Sequence, residues 1–184
     1  MNYFELFGIE PSFTIDTATI KKKFYELSRA NHPDFFGGGT EEEQNTALEQ
    51  SATINEAYKT LQNKDQLIKY ILGLKGLIQE EEKYQLPPDF LMEVMDLNEQ
   101  VMELDKADTA AVAAIKAAAN NLQNEIYEAI EPVMANYSES TTTEKELLQV
   151  KDYYFKKKYL DRILAGCNRI FWKIRAHRLI LHSN

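Results

Sequence analysis

The stretch Thr17–Asp34, TATIKKKFYELSRANHPD, decides how the chain folds. On a wheel of about 100° per residue, Ile20, Phe24, Leu27 and Asn31 share one face, while Lys22, Tyr25 and Arg29 project roughly opposite. The stretch therefore reads as an amphipathic helix with a core face and a basic outer face. Asp16 or Thr17 caps its start. Pro33 biases His32 to an extended backbone and holds the following turn away from the helix. His32-Pro33-Asp34 thus falls on a loop that runs to Gly39.

Working outward, apolar residues recur at three and four almost everywhere, so the chain reads as helical nearly throughout. A short helix over Tyr3 to Phe7 ends at Gly8. After the loop comes a long helix from about Glu41 to Leu61, with Leu48, Ala52, Asn55 and Leu61 among its periodic positions. Glu41, Glu42 and Glu43 in its first turn complement the helix dipole. A shorter helix covers about Asp65 to Leu72 and ends near Gly73. Pro87-Pro88-Asp89 suits a helix start, and three further helices are expected near 89–105, 108–136 and 143–182, with Tyr137 to Thr143 as a loop. The expected organisation is all-α: a four-helix domain over 1–76, a linker over 77–87 and a three-helix bundle over 88–184.

Composition narrows the function classes. Hydrophobic residues make up 44% and charged residues 27% of the 184, as in a globular protein. No apolar run approaches the ~20 residues that span a bilayer, and MNYFELFGIEP lacks the basic-then-apolar pattern of a signal peptide. A cytoplasmic location with no membrane partner is expected. One cysteine, Cys167, excludes an internal disulfide and a multi-thiolate metal site. It shares a stripe with Leu160, Leu164 and Phe171 and reads as core. His177 and His182 are five apart, which does not match a helical metal pair, so no metal or other cofactor is expected. A net charge of −8 argues against nucleic acid. No nucleophile motif or phosphate loop accompanies His32 and Asp34, and Gly37-Gly38-Gly39 lacks the Lys-Ser/Thr of a P-loop, so no enzyme is expected. Arg169 to Arg178 form a basic tail that either contacts an acidic partner or membrane surface or, the preferred reading, places favourable cations in the last turns of a helix.

A short first helix, a basic second helix, His32-Pro33-Asp34, a long third helix and a short fourth resemble a J domain over residues 1 to about 75. MNYFELFGI and Gln50–Leu61, QSATINEAYKTL, carry the likeness as well as the triplet does. The resemblance implies that His32, Pro33 and Asp34 engage the ATPase domain of a DnaK-class chaperone and trigger its ATP hydrolysis. It also implies that Lys22, Lys23 and Arg29 dock on an acidic chaperone surface with a salt-sensitive rate. Many general J domains have two basic residues where this chain has Tyr25 and Glu26, which points to a dedicated chaperone.

Between Asp89 and Leu104, DFLMEVMDLNEQVMEL, the residues Phe90, Val94, Leu97, Val101 and Leu104 cluster in one stripe. Leu91, Met95 and Met102 lie on a flank, and Met92 lies nearly opposite the core beside Asp96, Glu99 and Glu103. Either this second apolar group packs at a bundle edge, or it is a binding patch in which adaptable methionines meet an acidic rim. The segment resembles the first bundle helix of the HscB/Jac-type J-domain co-chaperones of iron–sulfur cluster assembly, and Lys156–Ile163, KKKYLDRI, resembles their last helix. The likeness spans nearly the whole chain. It implies an L-shaped two-domain protein whose J domain stimulates an HscA-like chaperone and whose bundle delivers an IscU-type scaffold to it. By position, Leu91, Met92, Met95, Asp96, Glu99, Glu103 and Tyr159 form the client surface, with Met95, Asp96 and Tyr159 in place of the more usual leucine, glutamate and phenylalanine. Eukaryotic relatives can carry a tetracysteine segment before the J domain, so the chain is expected to match the bacterial form. The remaining bundle helices read as scaffold, with Ile115, Leu122, Ile126, Ala129 and Val133 as a stripe. Two other readings remain at this point: a J-domain adaptor for a different client, and a structural helical protein whose loop is accidental.

Overall fold

The computed structural model describes residues 1–32, 34, 38–104 and 108–181, with side chains described as far as residue 168. Seven helices are described: α1 (Tyr3–Phe7), α2 (Thr17–Ala30), α3 (Glu41–Gln62), α4 (Lys64–Leu74), α5 (Pro88–Glu103), α6 (Thr109–Ala135) and α7 (Glu144–Leu181). There is no strand among the described residues. They form two compact units, Met1–Gln79 with Val133–Leu147, and Glu80–Pro132 with Leu148–Asn184.

Local chemistry explains the helix ends of the first unit. The Asn2 side chain accepts from the Glu5 N–H at 2.9 Å while the Glu5 carboxylate accepts from the Asn2 N–H at 2.9 Å. This box starts α1, and Gly8 ends it at φ 57°, where a side chain would be strained. Asp16 caps α2 by accepting from the N–H groups of Ala18 and Thr19. Thr40 and Glu43 form a second reciprocal box at the start of α3. Thr143 and Glu146 form another at α7.

The core of this unit is dense and aromatic. Phe4, Phe7, Phe13, Ile20, Ile54, Ala57, Leu61 and the α4 row Leu67, Ile68, Ile71 and Leu72 are all buried. The α2 and α3 helices pair as an antiparallel hairpin, with the Phe24 ring stacked on Tyr58 at 4.2 Å. Tyr3 stacks on Tyr70 at 4.4 Å, and its N–H donates to the Tyr70 hydroxyl at 2.8 Å. The turn after α6 belongs to this unit: Tyr137 meets the edge of Phe13 at 4.8 Å, and Glu139 pairs with Lys75 at 3.0 Å.

In the second unit, Leu86, Phe90, Val94 and Leu97 pack with Val112, Ile115 and Ala119 of α6 and Leu160, Ile163 and Cys167 of α7. Pro88 occupies the first turn of α5, where its missing N–H costs nothing. The α5 and α7 helices run parallel: the Lys156 ammonium lies 5.3 Å from the Phe90 ring, and a Cβ at Gly166 would sit 3.4 Å from Val101. The segment before α5 is strapped to α7. Tyr84 stacks on Phe155 at 4.4 Å and donates to Asp152 at 2.7 Å, and Glu82 pairs with Lys151 at 2.5 Å. Burial, reinforced by the bond to Asp152, pushes the Tyr84 hydroxyl well above the usual phenol range.

Two sequence expectations change. The buried face of α3 is Ala47, Ile54, Ala57 and Leu61, whereas Leu48, Ala52 and Asn55 are exposed. The true stripe is built from alanines and an aromatic partner, so the larger Leu48 misleads the phase. In α6 the stripe leaves Ala129 exposed and continues through Ile130 and Met134, because successive steps of four follow the face that meets the core. The α4 helix ends at Leu74, beside the expected Gly73. The Phe171 side chain and the basic tail side chains Arg169 to Arg178 lie outside the described residues.

Leu160 is fully buried, so Leu160→Ala should cost about 2–5 kcal/mol, read as a lower urea midpoint, whereas Leu148→Ala at an exposed position should change it little. The hydroxyl of Thr19 and the N–H groups of Thr19 and Ala18 hold Asp16 below the usual carboxylate range. The Thr40 backbone and hydroxyl do the same for Glu43, and the Thr143 hydroxyl and backbone for Glu146. Depressed folded values mean that this stabilisation is present above the unfolded pKa of roughly 4 and lost as pH falls through the folded values. An acid titration followed by circular dichroism should show a shallower stability loss for Asp16→Asn plus Glu43→Gln than for wild type.

Candidate functional site

The loop after α2 begins where Asn31 closes the helix: its N–H and its side-chain amide both donate to the Leu27 carbonyl, at 3.0 and 2.9 Å. His32 follows directly. The Asp34 N–H donates to His32 Nδ1 at 3.2 Å. The Asp34 carboxylate lies 3.6 Å from the same nitrogen. Both side chains face solvent, 54% exposed for His32 and 88% for Asp34. Pro33 lies outside the described residues. The arrangement presents an imidazole and a carboxylate side by side in solvent, groups that can donate and accept hydrogen bonds.

The structure separates the three basic residues expected to dock with that loop. Lys22 and Arg29 are exposed on the outer face of α2, and Lys22 approaches Glu26 at 4.0 Å. Lys23 is half-buried, and its ammonium lies 3.5 Å from where a Cβ on Gly8 would stand. It therefore sits at the C-terminal end of α1, where a cation meets the negative end of that helix.

The second surface lies on α5. With Phe90, Val94 and Leu97 buried, Leu91 remains 40% exposed, Met92 66% and Met95 60%. Asp96, Glu99 and Glu103 are exposed beside them. Met102, 80% exposed, extends the same ridge and accepts a long contact from the Asn98 amide at 3.8 Å. It belongs with the candidate residues, and the wheel places it on the flank with Leu91 and Met95. Tyr159 differs from the rest: it is half-buried against the bundle core, with the Arg162 guanidinium 5.3 Å over its ring.

Cys167 is fully enclosed, and burial pushes its thiol pKa up. Among the described residues no three His, Cys, Asp or Glu side chains are grouped to hold a metal, and no helix is long and apolar enough to cross a membrane. Limited peroxide oxidation followed by peptide mass spectrometry should convert Met92, Met95 and Met102 to sulfoxide well before Met134, which is 6% exposed.

Residues 2–70 match the DnaJ domain, and residues 86–168 match a family described as the HSCB C-terminal oligomerisation domain. The co-chaperone protein HscB homolog of Shewanella pealeana is 35% identical over 153 residues, covering 83% of this chain and 80% of that one. The homolog of Shewanella loihica is 31% identical over 172 residues, covering 92% and 96%. Among solved structures, the chaperone HscB from Vibrio cholerae superposes with a TM-score of 0.73 at 29% identity, covering 95% of this chain and 99% of that chain. The human co-chaperone protein HscB gives 0.75 at 27% identity, covering 91% and 81%. With the J-domain helices and the α5–α7 bundle matched together over most of its length, the chain belongs to the HscB family of J-domain co-chaperones.

Proposed function

We propose that this chain stimulates ATP hydrolysis by an HscA-like, DnaK-class chaperone and delivers an IscU-type scaffold protein to it for iron–sulfur cluster assembly and transfer. The observation that supports this best is the presence, in one HscB-family chain, of two polar trigger residues held out on a loop and an open methionine ridge with an acidic border. In this reading 1–76 acts on the chaperone, 77–87 is the link and 88–184 holds the client, in the cytoplasm. His32 and Asp34, with Pro33 between them, engage the chaperone's ATPase domain. Asp34 competes for a cation in that domain's internal charge network, and water attacks the γ-phosphate within the partner, not on this chain. Lys22 and Arg29 steer the encounter.

Leu91, Met92 and Met95 give the scaffold an apolar contact that adapts to its shape, because the unbranched thioether side chains repack readily. Asp96, Glu99 and Glu103 favour a client with a basic surface and keep the free ridge soluble. Tyr159 contributes from α7, held in place by the core and by Arg162.

Single-turnover ATPase assays and scaffold binding test the two halves separately. Wild type should accelerate hydrolysis by the HscA-like chaperone, and His32→Gln should return it to the unstimulated rate while leaving scaffold binding intact. Leu91→Ala plus Met92→Ala should weaken scaffold binding at least about ten-fold and leave ATPase stimulation by free co-chaperone unchanged. Stimulation without scaffold binding by wild type would make the protein an adaptor for another client. No stimulation by wild type would reject the chaperone role.

A further inference from the structure

Tyr25 stands apart from the other aromatic residues. The chain has 10 tyrosines, 9 phenylalanines and 1 tryptophan. Among the large apolar side chains left exposed in the described residues, Tyr25, at 60%, is the aromatic one. Packing does not require that exposure, since the core face of α2 is supplied by Ile20, Phe24 and Leu27. Its ring lies 5.7 Å from Phe24 and tilted to it, not stacked beneath it. Tyr25 also lines an open depression of about 460 Å³ with Lys22, Glu26, Arg29 and Ala30.

The charges around it do not make a uniformly basic surface. Lys22 approaches Glu26 at 4.0 Å, and both are exposed, so their fields partly cancel. Arg29 makes no ion pair among the described residues. What remains on this face is one broad amphipathic ring beside one uncompensated guanidinium. Tyr and Arg are, with Trp, the side chains enriched among those that dominate protein–protein affinity, and a tyrosine ring brings large contact area with few rotatable bonds.

We infer that Tyr25, rather than the lysines, anchors α2 on the chaperone and sets its selectivity, by inserting into an apolar recess of the ATPase domain beside a carboxylate that pairs with Arg29. This rests on the proposed chaperone role and adds to it the residue that discriminates among chaperones. Glu26 serves the same end. It cancels Lys22 against a generally acidic surface, so a partner without the recess gains little from charge alone.

The experiment titrates the HscA-like chaperone with full-length co-chaperone variants in the single-turnover assay, at low and high salt. Tyr25→Ala should raise the half-maximal concentration about ten-fold or more while leaving the maximal stimulation unchanged, because His32 and Asp34 are untouched. Tyr25→Phe should retain most of the affinity, and Lys22→Ala should cost less than three-fold. Glu26→Gln should steepen the salt dependence. An unchanged half-maximal concentration for Tyr25→Ala, with circular dichroism confirming the fold, overturns the inference and leaves the chaperone role standing. So does a larger loss for Lys22→Ala than for Tyr25→Ala. Failure of wild type to stimulate at any concentration removes the chaperone role, and this inference with it.

Discussion

A helix can bury one stripe against its neighbours, and what lies off that stripe must face water or another molecule. On α5 the buried stripe is Phe90, Val94 and Leu97, locked against α6 and α7. That packing leaves Leu91, Met92, Met95 and Met102 with no place in the core. Apolar groups in water carry a cost that folding would otherwise avoid, and their alignment on one helix makes an exposed apolar ridge. The acids beside them hold that surface in solution. The ridge is thus a by-product of where the core is.

The same constraint organises α2. Its inner face meets α3, through Phe24 on Tyr58, and its outer face is free to carry charge and Tyr25. The helix ends at Asn31 because that side chain turns back on the Leu27 carbonyl, and the loop residues follow immediately. His32 and Asp34 are joined by a contact over two residues, and both side chains stand in solvent. The helix end that presents them is set locally by Asn31, while the orientation of the face below them comes from the hairpin.

The connection into the bundle is held by polar contacts as much as by apolar ones. Tyr84, Asp152, Glu82 and Lys151 tie residues that precede α5 to the middle of α7, and Leu86 enters the bundle core directly. Part of what reads in sequence as a linker is thus bound to the second unit. Glu81, at φ 59°, adopts a left-handed backbone at the start of that strap, a conformation that costs a non-glycine residue roughly 1–2 kcal/mol, and the flanking contacts hold it there.

Much of this protein was legible in the chain alone. The helix-by-helix layout, a cap at Asp16 or Thr17, the loop at His32 and the α5 core stripe all follow from short-range rules: periodicity of 3.6, capping chemistry, and the restrictions of proline and glycine. The structure adds the reciprocal caps of Thr40 with Glu43 and Thr143 with Glu146, each spelled T-x-x-E in the chain. The tertiary structure alone decided which of several plausible stripes is buried in α3 and α6, because alanines buried by a neighbour carry a weak hydrophobic signal while an exposed Leu48 carries a strong one. It also decided that Lys23 serves the end of α1, that Tyr159 is half-buried in the bundle, and that Val133–Leu147 packs with the first unit through Phe13–Tyr137 and Lys75–Glu139. Those partners lie far apart along the chain, and no local pattern specifies which distant side chain will arrive.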